Sequence, residues 1–412
     1  MRKKSVNIDI AFTHIFTRKK QTLVACLGVT LGVAVYLFMN SLSGGFSVYS
    51  RGEIFKNSAH IKIYKEDKIS KPFMESSNEN ELVAIVNPQI TTLSKTLVNP
   101  QGLLDKLKKQ GFLTHAIAQV NVDVFYNNGK SQLKGTANGV NVLEADAMFN
   151  ISSYMVGGSL KDLQGNLGGI VIGKGIAEKL NVRLNDNITV SSSYGITKTL
   201  KVKGIFSTGS ALSDQSKSYI NISTAQQFVK EGPSYVTTIY ANTLNPDAAP
   251  DYAKVLQQLT EYKVDPWQVT NADVLSGDLV RNTMMGAISL SILVVAAFGI
   301  YNILNMTVMQ KINDIAILKA TGFSGGDVIK IFVTEALVMG FLGCLMGLVV
   351  GGILIAIMQN VWMGPPVGYF PIYFSPQFFM SSFLLGILAT LGAGYIPARK
   401  ASKVDPVEIF RK

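Results

Sequence analysis

Read for hydrophobic and polar positions, the chain places long uncharged blocks toward its two ends and a mixed, patterned region between them. Residues 22–42 form a 21-residue run without a charged side chain, close to the roughly 20 residues a helix needs to cross a bilayer. A second uncharged run covers 282–310, with its apolar part over 285–308. A third, 336–398, holds 63 residues with no Asp, Glu, Lys, Arg or His. That is too long for one span, and 359–377 breaks it with Pro365, Pro366, Pro371 and Pro376 interleaved with Trp362, Tyr369 and Tyr373. Prolines end helices, while Trp and Tyr favour the membrane–water interface. The pattern therefore predicts four spans, at 21–43, 282–309, 324–359 and 377–397, with a short outer loop at 360–376.

The region between the first two spans, 44–281, shows shorter periods. His60-Ile-Lys-Ile-Tyr-Lys65 alternates as a half-buried strand does, residues 100–111 read as a helix closed by glycine, and 118–126 alternate again. A second strand–helix–strand pattern follows at 235–241, 248–262 and 263–269. Between the two lies a strand-rich insert, about 130–222, with Gly-Asn, Gly-Gly and Asn-Asp turn signals. The prediction is an α+β membrane protein: four transmembrane helices with a large two-lobed α+β extracytoplasmic domain between helices 1 and 2. Residues 66–99 are polar and irregular and read as a loop.

Charge changes the picture mainly by its location. Only 16% of residues are charged and 48% are apolar, against about 25% charged in average soluble domains. The net charge of +11 would suit a nucleic-acid partner if it were central. Residues 1–45 instead contribute +5 and 281–412 contribute +4, leaving +2 for the 46–280 region. The excess lies beside the apolar blocks, which is membrane topology, so no nucleic-acid partner is expected. Arg2, Lys3, Lys4, Arg18, Lys19 and Lys20 flank the first span, and Arg399, Lys400, Lys403, Arg411 and Lys412 follow the last. Lys311 and Lys319 lie between the second and third, and the third-to-fourth loop has no basic residue. The positive-inside rule puts both termini and 310–323 in the cytoplasm. A cleaved signal peptide is the alternative for the first span, but 21 apolar residues exceed a 7–15-residue h-region. Leu23-Val24-Ala25-Cys26 also resembles a lipoprotein cleavage box, though it has almost no apolar lead. The two cysteines, Cys26 and Cys344, sit in apolar blocks, so no disulfide framework is expected.

Several strings resemble catalytic sites without completing one. Gly168-Gly-Ile-Val-Ile-Gly173-Lys174-Gly175 nearly spells a phosphate-binding loop, but position 175 lacks the Mg²⁺-binding Ser/Thr. Leu42-Ser43-Gly44-Gly45-Phe46 resembles the ATPase signature of ABC proteins, at the end of a span. His14, His60 and His115 have no metal-ligand spacing and read as structural or surface residues. Glu335, about two turns into the third helix, is either functional or solvated near the interface. No catalytic constellation emerges, and neither a metal site nor a cofactor site is expected.

The 310–323 segment carries the strongest signal. Ile312, Ile315, Ile317 and Leu318 mix with Asp314 and Lys319 on a short helix ended by Gly322, a residue suited to the left-handed C′ position. Ser324 with Asp327 fits a capping box for the third span. So small an apolar helix should bury its face against another protein; the alternative is a connector lying on the membrane. Ahead of the first span, Ile8, Ala11, Phe12, Ile15 and Phe16 recur at helical spacing, so 1–20 reads as an amphipathic helix on the inner leaflet.

At these residues a family resemblance appears. Asp314-Ile-Ala-Ile-Leu-Lys-Ala-Thr-Gly322 resembles the coupling-helix motif of the type VII ABC transporter permeases, the MacB/FtsX/Lol group. The tail Pro397-Ala-Arg-Lys-Ala-Ser-Lys-Val-Asp405-Pro406-Val407-Glu408 is similar to the group's C-terminal signature, and the one-span, domain, three-span layout matches throughout. Gly28-Val-Thr-Leu-Gly-Val-Ala34, His60-Ile-Lys-Ile, Gly139-Val-Asn-Val, Tyr154-Met-Val-Gly-Gly158 and Ile172-Gly-Lys-Gly-Ile-Ala-Glu-Lys-Leu180 resemble the lipoprotein-releasing, Lol-type members. The Asp-Pro usual there after Gly-Val is Asn141-Val142 here.

The resemblance implies a non-catalytic subunit of the bacterial inner membrane. ATP and Mg²⁺ would be bound by a separate ABC ATPase dimer, docked on Ile312, Asp314, Ile315, Ile317, Leu318, Lys319 and Gly322 and steadied by the tail 398–412. Four spans are few for a pathway, so a second permease chain, identical or related, is expected, with membrane lipids around the pair. Exposing a 16-carbon chain to water costs about 12 kcal/mol, so a lipoprotein cargo needs an apolar cavity and then a periplasmic carrier. Val33, Leu37 and Met39 on the first span, and Met285, Ile288 and Ile292 on the second, are candidates for that cavity; helix packing explains them equally well. Two rivals stand beside lipoprotein release: a MacB-like exporter of a drug, peptide or toxin with a periplasmic adaptor, and an FtsX-like signal transmitter that transports nothing.

Overall fold

The computed structural model describes residues 10, 11, 13, 17, 19–67, 94–364 and 367–410 of the chain. Most of the amphipathic helix read at 1–20 and of the loop read at 66–99 lies outside the described residues, as do His14, Pro365, Pro366, Arg411 and Lys412. Contacts divide the chain into two units, Met1–Ser50 with Ser276–Lys412, and Arg51–Leu275.

In chain order, α1 (Lys19–Asn57) is followed by β1 (Ile61–Tyr64), α2 (Pro100–Lys108), β2 (Leu113–Asn128), β3 (Ser131–Val140), α3 (Val142–Phe149), β4 (Met155–Gly158) and β5 (Gly169–Gly173). Then come α4 (Lys174–Leu180), β6 (Asn187–Ser192), β7 (Thr197–Phe206), α5 (Ala211–Ser216), β8 (Lys217–Asn221), α6 (Ile222–Phe228), β9 (Thr238–Thr243), α7 (Ala249–Leu259), β10 (Lys263–Pro266) and α8 (Trp267–Thr270). The strands join in the order β10-β1-β9-β2-β3-β8-β5-β7-β4, and β6 pairs with both β2 and β7. That double pairing closes β2, β3, β8, β5, β7 and β6 into a ring.

Strand β2 belongs to both lobes. Its first part, from Leu113 to Gln119, pairs with β9 in an open sheet, and its last part pairs with β6 in the ring. Because side chains alternate across a strand, Val120, Val122, Val124 and Tyr126 all point into the ring and are buried. Tyr126 satisfies its hydroxyl on Ser218 Oγ at 2.7 Å, and burial pushes its phenol above the ordinary range. The open sheet buries Ile61 and Ile63 against Leu103, Leu104 and Leu107 of α2, Leu256 of α7, and Trp267. Helix α2 starts where it does because Asn99 accepts from Gly102 N–H at 3.1 Å, with Pro100 in its first turn. The insert read at about 130–222 therefore supplies five ring strands and borrows the sixth from its neighbour.

The remaining elements are α9 (Ala272–Gln310), α10 (Ile312–Ala320), α11 (Gly325–Gln359), the hairpin β11 (Trp362–Gly364) with β12 (Gly368–Tyr369), α12 (Pro376–Ser402) and α13 (Pro406–Phe410). Helices α1, α9, α11 and α12 are long and apolar enough to cross a membrane. Both α1 and α9 contain 39 residues, about 58 Å, nearly twice a ~30 Å hydrocarbon core. The helix thus continues well past 43, where the apolar run ends. A polar ladder replaces the apolar contact there: Ser43 Oγ donates to Asn282 Oδ1 at 2.5 Å, Asn282 Nδ2 to Ser47 Oγ at 3.2 Å, and Ser50 Oγ to Asp278 Oδ1 at 3.2 Å. Gly45 does not end the helix, because its bare Cα admits the backbone of Pro371 and Ile372; a Cβ would lie 2.3 Å from the Pro371 carbonyl oxygen.

Within the membrane unit, α11 presents Gly343, Gly347 and Gly351 to α1, where Val29, Val33 and Leu37 fill the notches. The chain is accordingly an α+β protein, with four apolar helices and a two-lobed α+β domain between the first and second of them.

Candidate functional site

Helix α10 is built as a projecting piece with a locked back. Ile315 and Ala316 are buried, Ile315 in a cluster with Val308 of α9, Val328 and Phe332 of α11, and Ala398 and Ala401 of α12. Lys319 Nζ donates to the carbonyls of Ser402 at 3.0 Å and Val404 at 2.6 Å. A cation on the last carbonyls of a helix is favourable for the macrodipole as well as for hydrogen bonding, so Lys319 fastens α10 to the end of α12. The C-terminus of α10 is a Schellman turn: Phe323 N–H donates to Leu318 O and Gly322 N–H to Lys319 O, both at 3.1 Å, with Gly322 at φ +99°. Two residues on, the capping box is present: Asp327 N–H donates to Ser324 Oγ and Ser324 N–H to the Asp327 carboxylate.

What faces outward is narrower than the sequence suggests. Ile317 is 51% exposed, and Asp314 keeps 66% of its side chain exposed beside Lys311 at 4.0 Å. Ile312 and Leu318 are partly buried. Of the seven residues expected on the docking face, Ile315 and Lys319 hold the helix from behind, and Gly322 shapes its end. Helix α13 packs alongside α10, with Val407 exposed. Because α10 is fixed to three apolar helices at once, a force on its outer face reaches all three.

Two of the six cavity candidates are taken up by helix packing. Val33 and Leu37 are fully buried, and each fills a glycine notch of α11. Met39, Met285 and Ile292 are half-buried and Ile288 is exposed. An apolar hollow does open between α9 and α12, lined by none of the six. Charge counting and run length had no means to find it, since it depends on which helices are neighbours.

The other motifs have structural explanations. The phosphate-loop look-alike is a strand running straight into a helix, β5 to α4. A Cβ on Gly173 would sit 2.2 Å from the Asp214 carbonyl oxygen, and one on Gly175 would meet Gln215 at 2.5 Å. These glycines are used for close packing of α5. Glu335 is 5% exposed, so it is a buried carboxylate and not a solvated one. Among the described residues no cluster of His, Cys, Asp or Glu could hold a metal ion.

His115 is exposed, whereas His60 is structural. Burial pushes the His60 imidazole below its ordinary value, and its Nδ1 accepts from Thr243 N–H at 3.0 Å, a bond that only a ring unprotonated at that nitrogen can receive. A depressed folded-state pKa means that this contribution to stability is complete above the unfolded value of about 6.5 and is lost as pH falls below it. The apparent melting temperature of the full chain is expected to drop between pH 6.5 and pH 5, and His60→Gln to flatten that slope. Equal slopes for the two proteins would exclude His60 as the source.

Comparison with known proteins matches this architecture. The family model for the MacB-like periplasmic core domain matches residues 22–260, and that for the FtsX-like permease C-terminal region matches 286–406. A lipoprotein-releasing system transmembrane protein LolC of Neisseria meningitidis is 25% identical, over 95% of this chain and 94% of that protein. An uncharacterised ABC transporter permease of Methanocaldococcus jannaschii is 23% identical, over 99% of each. The periplasmic region of MacB from Actinobacillus actinomycetemcomitans, a solved structure, aligns with 52% of this chain and 91% of its own, at 12% identity and a TM-score of 0.32. The core-domain match alone exceeds half the chain, so this protein belongs to the MacB/FtsX group of ABC transporter permeases, multi-pass membrane proteins with a MacB-like periplasmic core domain.

Proposed function

We propose that this chain is the membrane half of a transporter in which a separate ATPase dimer drives motion of the periplasmic domain, and that the work done is release of lipidated proteins from the inner membrane. In this reading both termini and α10 face the cytoplasm, the chain itself binds no nucleotide, and ATP with Mg²⁺ sits in the ATPase. The observation that carries the reading is the two-sided character of α10. Ile317 and Asp314 face out, while Ile315, Ala316 and Lys319 fix the opposite side to α9, α11 and α12. ATP can shift the permease only by binding its two conformations with different affinity, and a docked helix that cannot slide against its own bundle is suited to transmit that difference.

Lipoprotein release is favoured over export by similarity along nearly the whole chain to a lipoprotein-releasing protein. Two permease chains would pair, since four spans are few for a pathway. The test is reconstitution with the cognate ATPase and a radiolabelled lipoprotein in proteoliposomes. ATP-dependent transfer of the label to a soluble carrier is the expected result. ATP-dependent binding of a periplasmic partner without any release would reject it in favour of signal transmission. Efflux of a soluble compound through an adaptor would reject it in favour of export.

A further inference from the structure

The hollow between α9 and α12 has a volume of about 590 Å³. Leu293, Ala297 and Tyr301 line one wall, and Leu385, Ala389 and Ala393 the other. Along α9 its lining extends from Leu290 to Tyr301, about 16 Å at the rise of a helix. That is one half of a ~30 Å hydrocarbon core. The groove is therefore one leaflet deep.

Its end is basic. Arg399, Lys400 and Lys403 line a second hollow of about 290 Å³, and Ile396 belongs to both. Lys400 Nζ lies 3.2 Å from Tyr301 Oη, which joins the basic mouth to the wall of the groove. Among the described residues no carboxylate stands within ion-pair distance of these three cations. An apolar slot as long as a leaflet, ending in uncompensated positive charge, has the shape and polarity of a phospholipid with an acidic head.

We propose that the composite site holds one anionic phospholipid, with an acyl chain in the α9–α12 groove and the phosphate among Arg399, Lys400 and Lys403. A zwitterionic lipid would fill the slot and leave the net charge at the mouth unmatched. A second copy of this chain, lying parallel in the same membrane, would bring its own basic end to that mouth. Lys and Arg beside a membrane attract acidic headgroups by about fivefold each, so three together give a preference well above tenfold. The inference goes beyond the transport reading and requires only that the helices be in a membrane.

Native mass spectrometry of the full chain, purified in detergent with mixed phosphatidylglycerol and phosphatidylcholine, tests it. The expected result is one retained phosphatidylglycerol per chain, at least tenfold over phosphatidylcholine. Gly392→Trp fills the groove at a position where a Cβ meets nothing within 4 Å; it should lose the lipid with all charges intact. The Arg399→Gln, Lys400→Gln, Lys403→Gln triple variant should keep a lipid and lose the preference. Equal retention of the two lipids by the unmodified chain, or a preference untouched by either variant, would overturn the proposal. So would a disulfide between Gly392→Cys copies in place of bound lipid, which would put a second chain in the groove.

Discussion

Gly347→Leu is expected to disrupt the membrane unit, lowering the apparent melting temperature of the detergent-solubilised chain by roughly 5–10 °C. Gly343, Gly347 and Gly351 form one face of α11 at four-residue spacing, and α1 lies against them. At Gly347 even a methyl group would sit 2.9 Å from the Thr30 carbonyl oxygen and 2.9 Å from Val33 Cβ. Backbone and a β-branched stem cannot swing aside as the end of a flexible side chain can. In a bilayer there is no hydrophobic force to hold separated helices together, because lipid tails are as apolar as leucine. Close packing has to supply the attraction, and a leucine at the contact removes it. Gly352→Leu is the control, since its Cβ would meet the Phe379 ring at an ordinary 3.6 Å. Comparable melting of the two leucine variants would show that α1 and α11 do not depend on this contact.

The second large effect is expected at the outer face of α10. Ile317→Asp should leave the chain inserted and folded, because the side chain is half-exposed and is not a member of the buried supporting cluster. Stimulation of the cognate ATPase in proteoliposomes should nevertheless fall at least tenfold, the loss expected when an apolar anchor of an interface becomes a carboxylate. Leu318→Asp should act in the same direction, with some loss of stability because Leu318 is partly buried. Gly322→Pro should also uncouple, for a different reason. Proline cannot adopt φ +99° and has no N–H to give to Lys319 O, so the turn that aims the helix is lost. Unchanged stimulation in the two aspartate variants would remove the docking role from α10.

The four apolar helices, the alternation in β1 and β2, the two lobes and the α10 turn with its capping box were legible because each is written in local chemistry. Charge-free length reports a span, period two reports a half-buried strand, and Gly322 followed by Ser324 and Asp327 reports a stop and a start. The four-residue glycine spacing of α11 was also present in the sequence, as a small-residue packing signal, and run length alone passed over it. That α1 continues through Gly44 and Gly45 was not legible, for the converse reason. A glycine admits close backbone approach as readily as it ends a helix, and only the neighbouring Pro371–Ile372 segment distinguishes the two.

The sequence by itself determined the class of protein, its four apolar helices and the turn and capping box that bound α10, because hydrophobic periodicity and capping act over a few residues. Tertiary structure alone decided the roles of individual side chains. It turned Ile315 and Lys319 into supports, Val33 and Leu37 into packing residues and Gly173 into a contact point. It also closed six strands into a ring through β2, and set an apolar groove against a basic mouth. Each of these depends on residues distant in the chain meeting at a few ångströms, and the sign of such a meeting, buried or exposed, is not encoded in the local pattern of either partner.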